Sequence, residues 1–148
     1  MIYLEQLFSN KIIGVSVLSW AIAQIIKIII DLCETKTLDL NLIMSSGGMP
    51  SSHSSFVVSL ATSVGMTEGF NSTAFSICFI LCMVVMYDAA GVRRAAGKHA
   101  AIINKIMENM TKIKIDEKLK ELLGHTPVEV AAGAVLGVVV SVISFQLM

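Results

Sequence analysis

Charge is scarce in this chain. Asp, Glu, Lys and Arg make up 15% of its 148 residues, whereas 55% are hydrophobic. Soluble domains carry about a quarter charged residues, so the composition excludes an ordinary soluble globule and implies a membrane protein. The length suits a single domain over 1–148. Formal net charge is zero, but the charges are unevenly spread. Cysteine is equally sparse. Cys33, Cys78 and Cys82 have no zinc spacing with histidine, and Cys78 and Cys82 lie one helical turn apart inside an apolar run, which makes them packing residues. No cleavable signal peptide is expected: Glu5 interrupts the N-terminus, Lys11 precedes the first long apolar run, and no small-residue cleavage site follows. Internal repeats and low-complexity tracts are absent.

What is present is apolar sequence in four candidate spans: Ile12–Ile30, Ser54–Met66, Thr73–Tyr87 and Val128–Leu147. Only the first and last approach the ~20 residues that a bilayer requires. The middle two must extend into their flanks or pack within a bundle. Glu68–Asn71 forms the turn between them, Ala89–Met110 has helical character with basic residues, and Lys112–Glu121 alternates charge as a solvated surface does. The expected fold is an all-α polytopic membrane bundle of about four transmembrane helices plus an amphipathic helical segment. Counting crossings puts Lys27, Pro50–His53, Arg93, Arg94 and His125 at one membrane face.

Three constellations lie there. Gly47-Gly48-Met49-Pro50-Ser51-Ser52-His53 is a glycine turn running into a helix start. Helix N-termini favour anions, and a histidine adds a proton carrier near neutral pH. The bland alternative is a plain serine cap beside an idle His53. In the second, His125, Glu129, Gly133 and Gly137 are spaced by four, along one helical stripe. A carboxylate one turn from an imidazole fixes its tautomer and sharpens the other nitrogen as nucleophile or base, while the glycines admit a close neighbouring helix. The third is Tyr87-Asp88-Ala89-Ala90-Gly91-Val92-Arg93-Arg94. Its arginines read either as anchoring charges or as a phosphate clamp, only one of the two reaching the site, and Asp88 reads as an ion-pair partner or a supporting site residue.

Together these residues resemble the type 2 phosphatidic acid phosphatase superfamily, which also contains the vanadium-dependent haloperoxidases. Pro50-Ser51-Ser52-His53 is similar to its Pro-Ser-Gly-His motif, with Ser52 in place of glycine. His125-x3-Glu129-Val130-x2-Gly133-x3-Gly137 is similar to the second half of its third motif, with Glu where Asp is usual. Gly-Gly-Met-Pro-Ser-Ser-His and Asp-x2-Gly-Val-Arg-Arg-x2-Gly resemble its divergent branch of small bacterial and plant membrane proteins. The first motif differs: Lys27 is present, but Glu34 stands where an arginine would fall. His99 lies six residues after Arg93, the motif spacing, yet Ile103 occupies the acid's place, so His125 is preferred as the motif histidine.

The resemblance implies an integral membrane phosphatase acting on a phosphomonoester or diphosphate, a lipid or isoprenoid phosphate above all. In that mechanism His125, oriented by Glu129, attacks phosphorus, and His53 protonates the leaving alkoxide and then activates water. Lys27, Arg93 or Arg94, Ser51, Ser52 and the Gly48 backbone neutralise the phosphoryl oxygens. Neither a metal nor another cofactor is required, and no nucleic-acid partner is expected. The superfamily core has six helices, so a homodimer would complete the bundle. The competing class is a non-catalytic protein that binds or moves an anionic lipid with the same cradle. A metal site built from His53, His125, Glu129 and Asp88 lacks a recognisable ligand spacing. Nine basic residues on the motif-bearing face against Lys11 on the other place the site on the cytoplasmic side of the cell membrane by the positive-inside rule.

Overall fold

The computed structural model describes residues 2–37, 48–109, 119, 121 and 123–147, and every described element is helical. The order is α1 (Ile2–Phe8), α2 (Lys11–Thr35), α3 (Ser52–Glu68), α4 (Thr73–Ala90), α5 (Val92–Asn109) and α6 (Pro127–Leu147). Helix starts follow from side chains that accept an otherwise orphaned N–H. Asn10 caps α2 through Ile13 N–H, Ser51 caps α3 through Ser54 N–H, and Ser72 caps α4 through Phe75 N–H. α2 stops where Lys36 turns left-handed at φ 56°, and α3 stops at Gly69, φ 92°. The chain turns to α4 within the expected Glu68–Asn71 stretch. α1 was not expected from the sequence; its side chains are all exposed. Most of Lys112–Glu121 lies outside the described residues.

Among the described residues, three stretches are long and apolar enough to cross a membrane: Lys11–Thr35, the run that begins at Thr73, and Pro127–Leu147. The remaining expected span, α3, has 17 residues, about 25 Å at ~1.5 Å per residue, short of the ~30 Å hydrocarbon core. Its position explains how so short and hydroxyl-rich a helix is tolerated. It packs against α2, α4 and α6 at the centre of the bundle, where protein rather than lipid satisfies its polar groups.

The interior seam is accordingly polar. Ser51, Ser52, Ser54, Ser55, Ser59 and Ser63 of the cap and α3 are all buried. Ser55 Oγ meets Ser19 Oγ of α2 at 2.6 Å, and Ser59 Oγ meets Ser141 Oγ of α6 at 2.8 Å. Such hydroxyl bonds join helices where the hydrophobic effect cannot. Gly133 and Gly137 let α6 approach: a Cβ at Gly133 would collide with the Ser51 carbonyl, and one at Gly137 would lie 2.6 Å from that of Ser55. Outside this seam, α4 buries only Cys82 and Ala89 and turns Ile77, Ile80, Val84 and their neighbours outward. Cys78 and Cys82 pack α4 onto Val57 and Ala61 of α3, as expected. Cys33 departs from that expectation: it is exposed near the end of α2.

Candidate active site

Two turns carry the site, and backbone hydrogen bonds hold both to the bundle. In the first, Gly48 adopts φ 90° against Lys27, whose stem would lie 3.3 Å from an added Cβ. Ser51 then caps α3, and its N–H donates to the Glu129 carbonyl at 3.0 Å. In the second, Gly124 adopts φ 82° and lies against the Arg93–Arg94 backbone so closely that a side chain would collide with it. His125 follows, its N–H donating to the Ala89 carbonyl at 2.9 Å. The two motifs therefore meet at the junction of α3, α4 and α6.

Thr126 and Glu129 form a reciprocal cap at the start of α6. Thr126 N–H donates to Glu129 Oε2, and Glu129 N–H donates to Thr126 Oγ1, each at 3.3 Å. The Thr-Pro-Val-Glu spacing is a legible signal for this box, with proline at the first helical position. The same Oε2 lies 3.0 Å from His125 Nδ1, so capping and imidazole orientation share one carboxylate. With the neutral ring's proton on Nδ1, the lone pair is on Nε2. That atom is buried and has no hydrogen-bond partner among the described residues. Burial pushes the His125 pKa below the ordinary imidazole value; the hydrogen bond and charge of Glu129 oppose this, the Lys27 charge adds to it, and the Gly48 backbone acts with Glu129.

His53 stands opposite, exposed on the first turn of α3. The two ring centroids are 6.4 Å apart with the planes at 59°. Arg93, Lys27, His125 and Asp88 all act electrostatically on His53. Arg93 is tied to Asp88 through a 2.6 Å Nε–Oδ2 contact between partly exposed side chains. Arg94 instead lines a cavity of about 390 Å³ with Gly48, Lys98, Gly124, His125 and Glu129. Lys98 was not expected from the sequence; its spacing of four from Arg94 on α5 is the signal that could have revealed it.

Lys27 is 2% exposed and lines a second cavity, about 220 Å³, with Asp31, Glu34, Gly48 and Glu129. Gly48 and Glu129 thus line both compartments, and Glu34, at the position of an expected arginine, lines the smaller one. Ser51 is fully buried, with its hydroxyl accepting from Ser54 and its N–H given to Glu129. Its polar groups are committed to holding the turn, which favours the capping reading for this residue. Ser52 is buried beside it. His99 is exposed on α5 and does not line either compartment. Among the described residues, no group of three His, Cys, Asp or Glu side chains is placed to hold a metal ion.

No solved structure matches this chain. It is 38% identical over 134 residues to a Bacillus subtilis (strain 168) protein named uncharacterized membrane protein YuiD, covering 82% of this chain and 85% of that one. A family profile described as Divergent PAP2 family matches residues 8–140, a range that holds Lys27, both motif histidines and Glu129. The match covers well over half of the chain, and the chain belongs to the Divergent PAP2 family.

Proposed function

We propose that this protein is a membrane phosphatase that hydrolyses a phosphomonoester or diphosphate, a lipid phosphate in particular, through a phosphohistidine on His125. The observation that carries the reading is the buried, unpartnered Nε2 of His125, with Glu129 on its other nitrogen and His53 across a 6.4 Å gap between centroids. For this chemistry a phosphoryl group must enter between the rings and come within about 3–3.5 Å of Nε2. Nε2 attacks phosphorus, and the P–O bond to the leaving group breaks. Protonated His53 delivers its proton to the departing oxygen. Glu129 stabilises the imidazolium character that develops on His125. Water then attacks the phosphohistidine, neutral His53 takes its proton, and inorganic phosphate leaves with Nε2 free again. Lys27, Arg94 and Arg93, with the Gly48 and Ser52 backbone at the α3 N-terminus, offset the charge on the phosphoryl oxygens.

The test is phosphate release by purified protein from a panel of lipid phosphates, with and without EDTA, joined to a search for acid-labile, base-stable phosphoprotein. Hydrolysis that survives EDTA and disappears in His125→Ala supports the mechanism. Tight lipid-phosphate binding with no turnover on any substrate supports the anionic-lipid carrier instead. The same proposal places the site at the cytoplasmic face and both termini outside, since Lys36, the basic residues of α5 and those that follow crowd that side. Cysteine-free variants carrying Lys114→Cys or Asn71→Cys test it in intact cells. A membrane-impermeant reagent should label position 71 and spare 114; the reverse pattern turns the protein over.

A further inference from the structure

The cations of the larger cavity and its imidazole stand on different parts of the chain. Arg94 and Lys98 belong to α5, whereas His125 belongs to the turn before α6. α5 leaves α4 at Gly91, and among the described residues it packs against no other helix. A second tie comes from the residues that lead into Gly124. Arg94, Gly97, Ala101 and Asn104 lie along one stripe of α5, and contacts from those residues run along it in the opposite direction. Leu119 meets Asn104, Glu121 and Leu123 meet Gly97, and Gly124 lies against Arg94. Gly97 makes the room: a Cβ there would lie 2.5 Å from the Glu121 carbonyl oxygen and 2.8 Å from that of Leu123.

Asn104 fastens the far end of this contact. It is 4% exposed. Its Nδ2 donates to the Leu119 carbonyl and to Glu121 Oε1, each at 2.8 Å, and its Oδ1 accepts from Leu119 N–H at 3.0 Å. Both amide hydrogens and the carbonyl are used, and the Leu119 N–H settles which end of the amide is oxygen. The bonding copies the reciprocal pair exchanged by two strand residues and needs nothing from the Leu119 side chain. We propose that Asn104 is a positioning residue: by fastening Leu119 and Glu121 to α5, it holds Arg94 and Lys98 against the His125 turn. Without it α5 stays joined at Gly91, but the two cations spend less time over the cavity. His125 keeps its own place through Ala89 and Glu129. The inference rests on the proposed phosphate site for its ligand, though not for the fastening itself.

The fastening is read from hydrogen exchange of the Leu119 amide in the full-length protein in nanodiscs. Exchange should be slow in the wild type and fast in Asn104→Ala; equal rates in the two overturn the inference. Vanadate is the ligand probe. Asn104→Ala should weaken its binding by about 3–10-fold, because apparent affinity falls with the fraction of molecules in the competent arrangement. KM for a hydrolysed substrate should rise with it while kcat holds. In a background of Arg94→Ala and Lys98→Ala, Asn104→Ala should add little, since the groups it positions are gone. Losses that multiply, or a fall in kcat at constant KM, show a merely structural side chain and overturn the assignment. The wild type alone supplies a further check if Asn104→Ala does not fold. Coupling between two sites is reciprocal, so vanadate should slow Leu119 exchange, and an unchanged rate overturns the inference. Coupled vanadate binding with no substrate turned over leaves the fastening standing and removes the phosphatase reading. A wild-type protein that binds no vanadate removes the anion site, and this inference with it.

Discussion

The α3–α6 seam and the α4–α5 rim are built on opposite rules. The seam is lined by serines and glycines, its helices nearly touching at Gly133 and Gly137 and stitched by hydroxyls. The rim is an apolar helix whose side chains mostly point outward, followed by a helix that carries Arg93, Arg94, Lys98 and Lys105. In a bilayer the polar interior is the adhesive and the apolar exterior is the solvated surface. The imidazole assigned to attack belongs to the seam, whereas cations that would recognise the headgroup stand on the rim. Damage to the seam should therefore destroy chemistry or folding, and damage to the rim should weaken affinity.

The largest effect expected is at the seam. His125→Ala should abolish phosphate release, and His53→Ala should reduce it by ~10²–10⁴-fold. Wild-type rates in both variants, on a substrate the protein hydrolyses, would refute the mechanism. On the rim, Arg94→Ala should raise KM and weaken vanadate inhibition by ~10–100-fold, the loss of one charge-assisted hydrogen bond, while kcat moves less. Arg93→Ala should do less, because that guanidinium is already engaged by Asp88. If Arg93→Ala proves the more damaging, the two arginines have exchanged roles.

Stability separates the two regions next. Gly137→Leu forces a side chain onto the Ser55 carbonyl and should cost ~1–3 kcal/mol or more, as overpacking does. Ser141→Ala removes the hydroxyl shared with Ser59 and Ser63 and should cost about 0.6–1.7 kcal/mol. An outward change such as Val84→Leu should leave the melting temperature of the nanodisc-embedded protein unmoved. The smallest effect is in pH. Burial holds the His125 pKa below the usual ~6.5, so the nucleophile stays neutral, and the acid limb of kcat/KM should fall below that value. The same sign applies to stability: His125 contributes fully above the unfolded-state pKa, and protonating it costs stability as pH falls. Glu129→Gln removes the charge that raises this pKa, so the acid limb should move still lower while the plateau rate drops. An upward shift would show that Glu129 does not face the imidazole in solution.

How much of this was legible depends on what each residue answers to. The helices at Ile12, Thr73 and Val128 announced themselves because bilayer burial demands long apolar runs. The histidine and glutamate motifs did so because their spacing is set by one helical turn. α3 was read correctly as too short, but its central position was not visible, since serines every four residues look equally like an exposed face until a second helix supplies the partner hydroxyl. The division of labour between Arg93 and Arg94 depended on which side of α5 meets the Gly124 turn, a tertiary fact. Lys98 had a sequence signal in its spacing of four from Arg94, but that this stripe of α5 meets the Gly124 turn was not visible.

The bonds that pin the site turns run from Ser51 N–H to the Glu129 carbonyl and from His125 N–H to the Ala89 carbonyl, and neither bond involves a side chain. In a saturation-mutagenesis library, Ala89 and Ser51 should therefore respond to different properties of the incoming residue. Position 89 contributes only its carbonyl to this clasp and is buried, so it should accept small residues of any polarity and reject bulk. Position 51 lends both its N–H and its hydroxyl, so proline there should erase function even if the helix cap were supplied by another residue. The clasp separates the placement of the imidazoles from the identity of several residues around them, which leaves a lineage free to alter its headgroup contacts without relocating its reactive atoms.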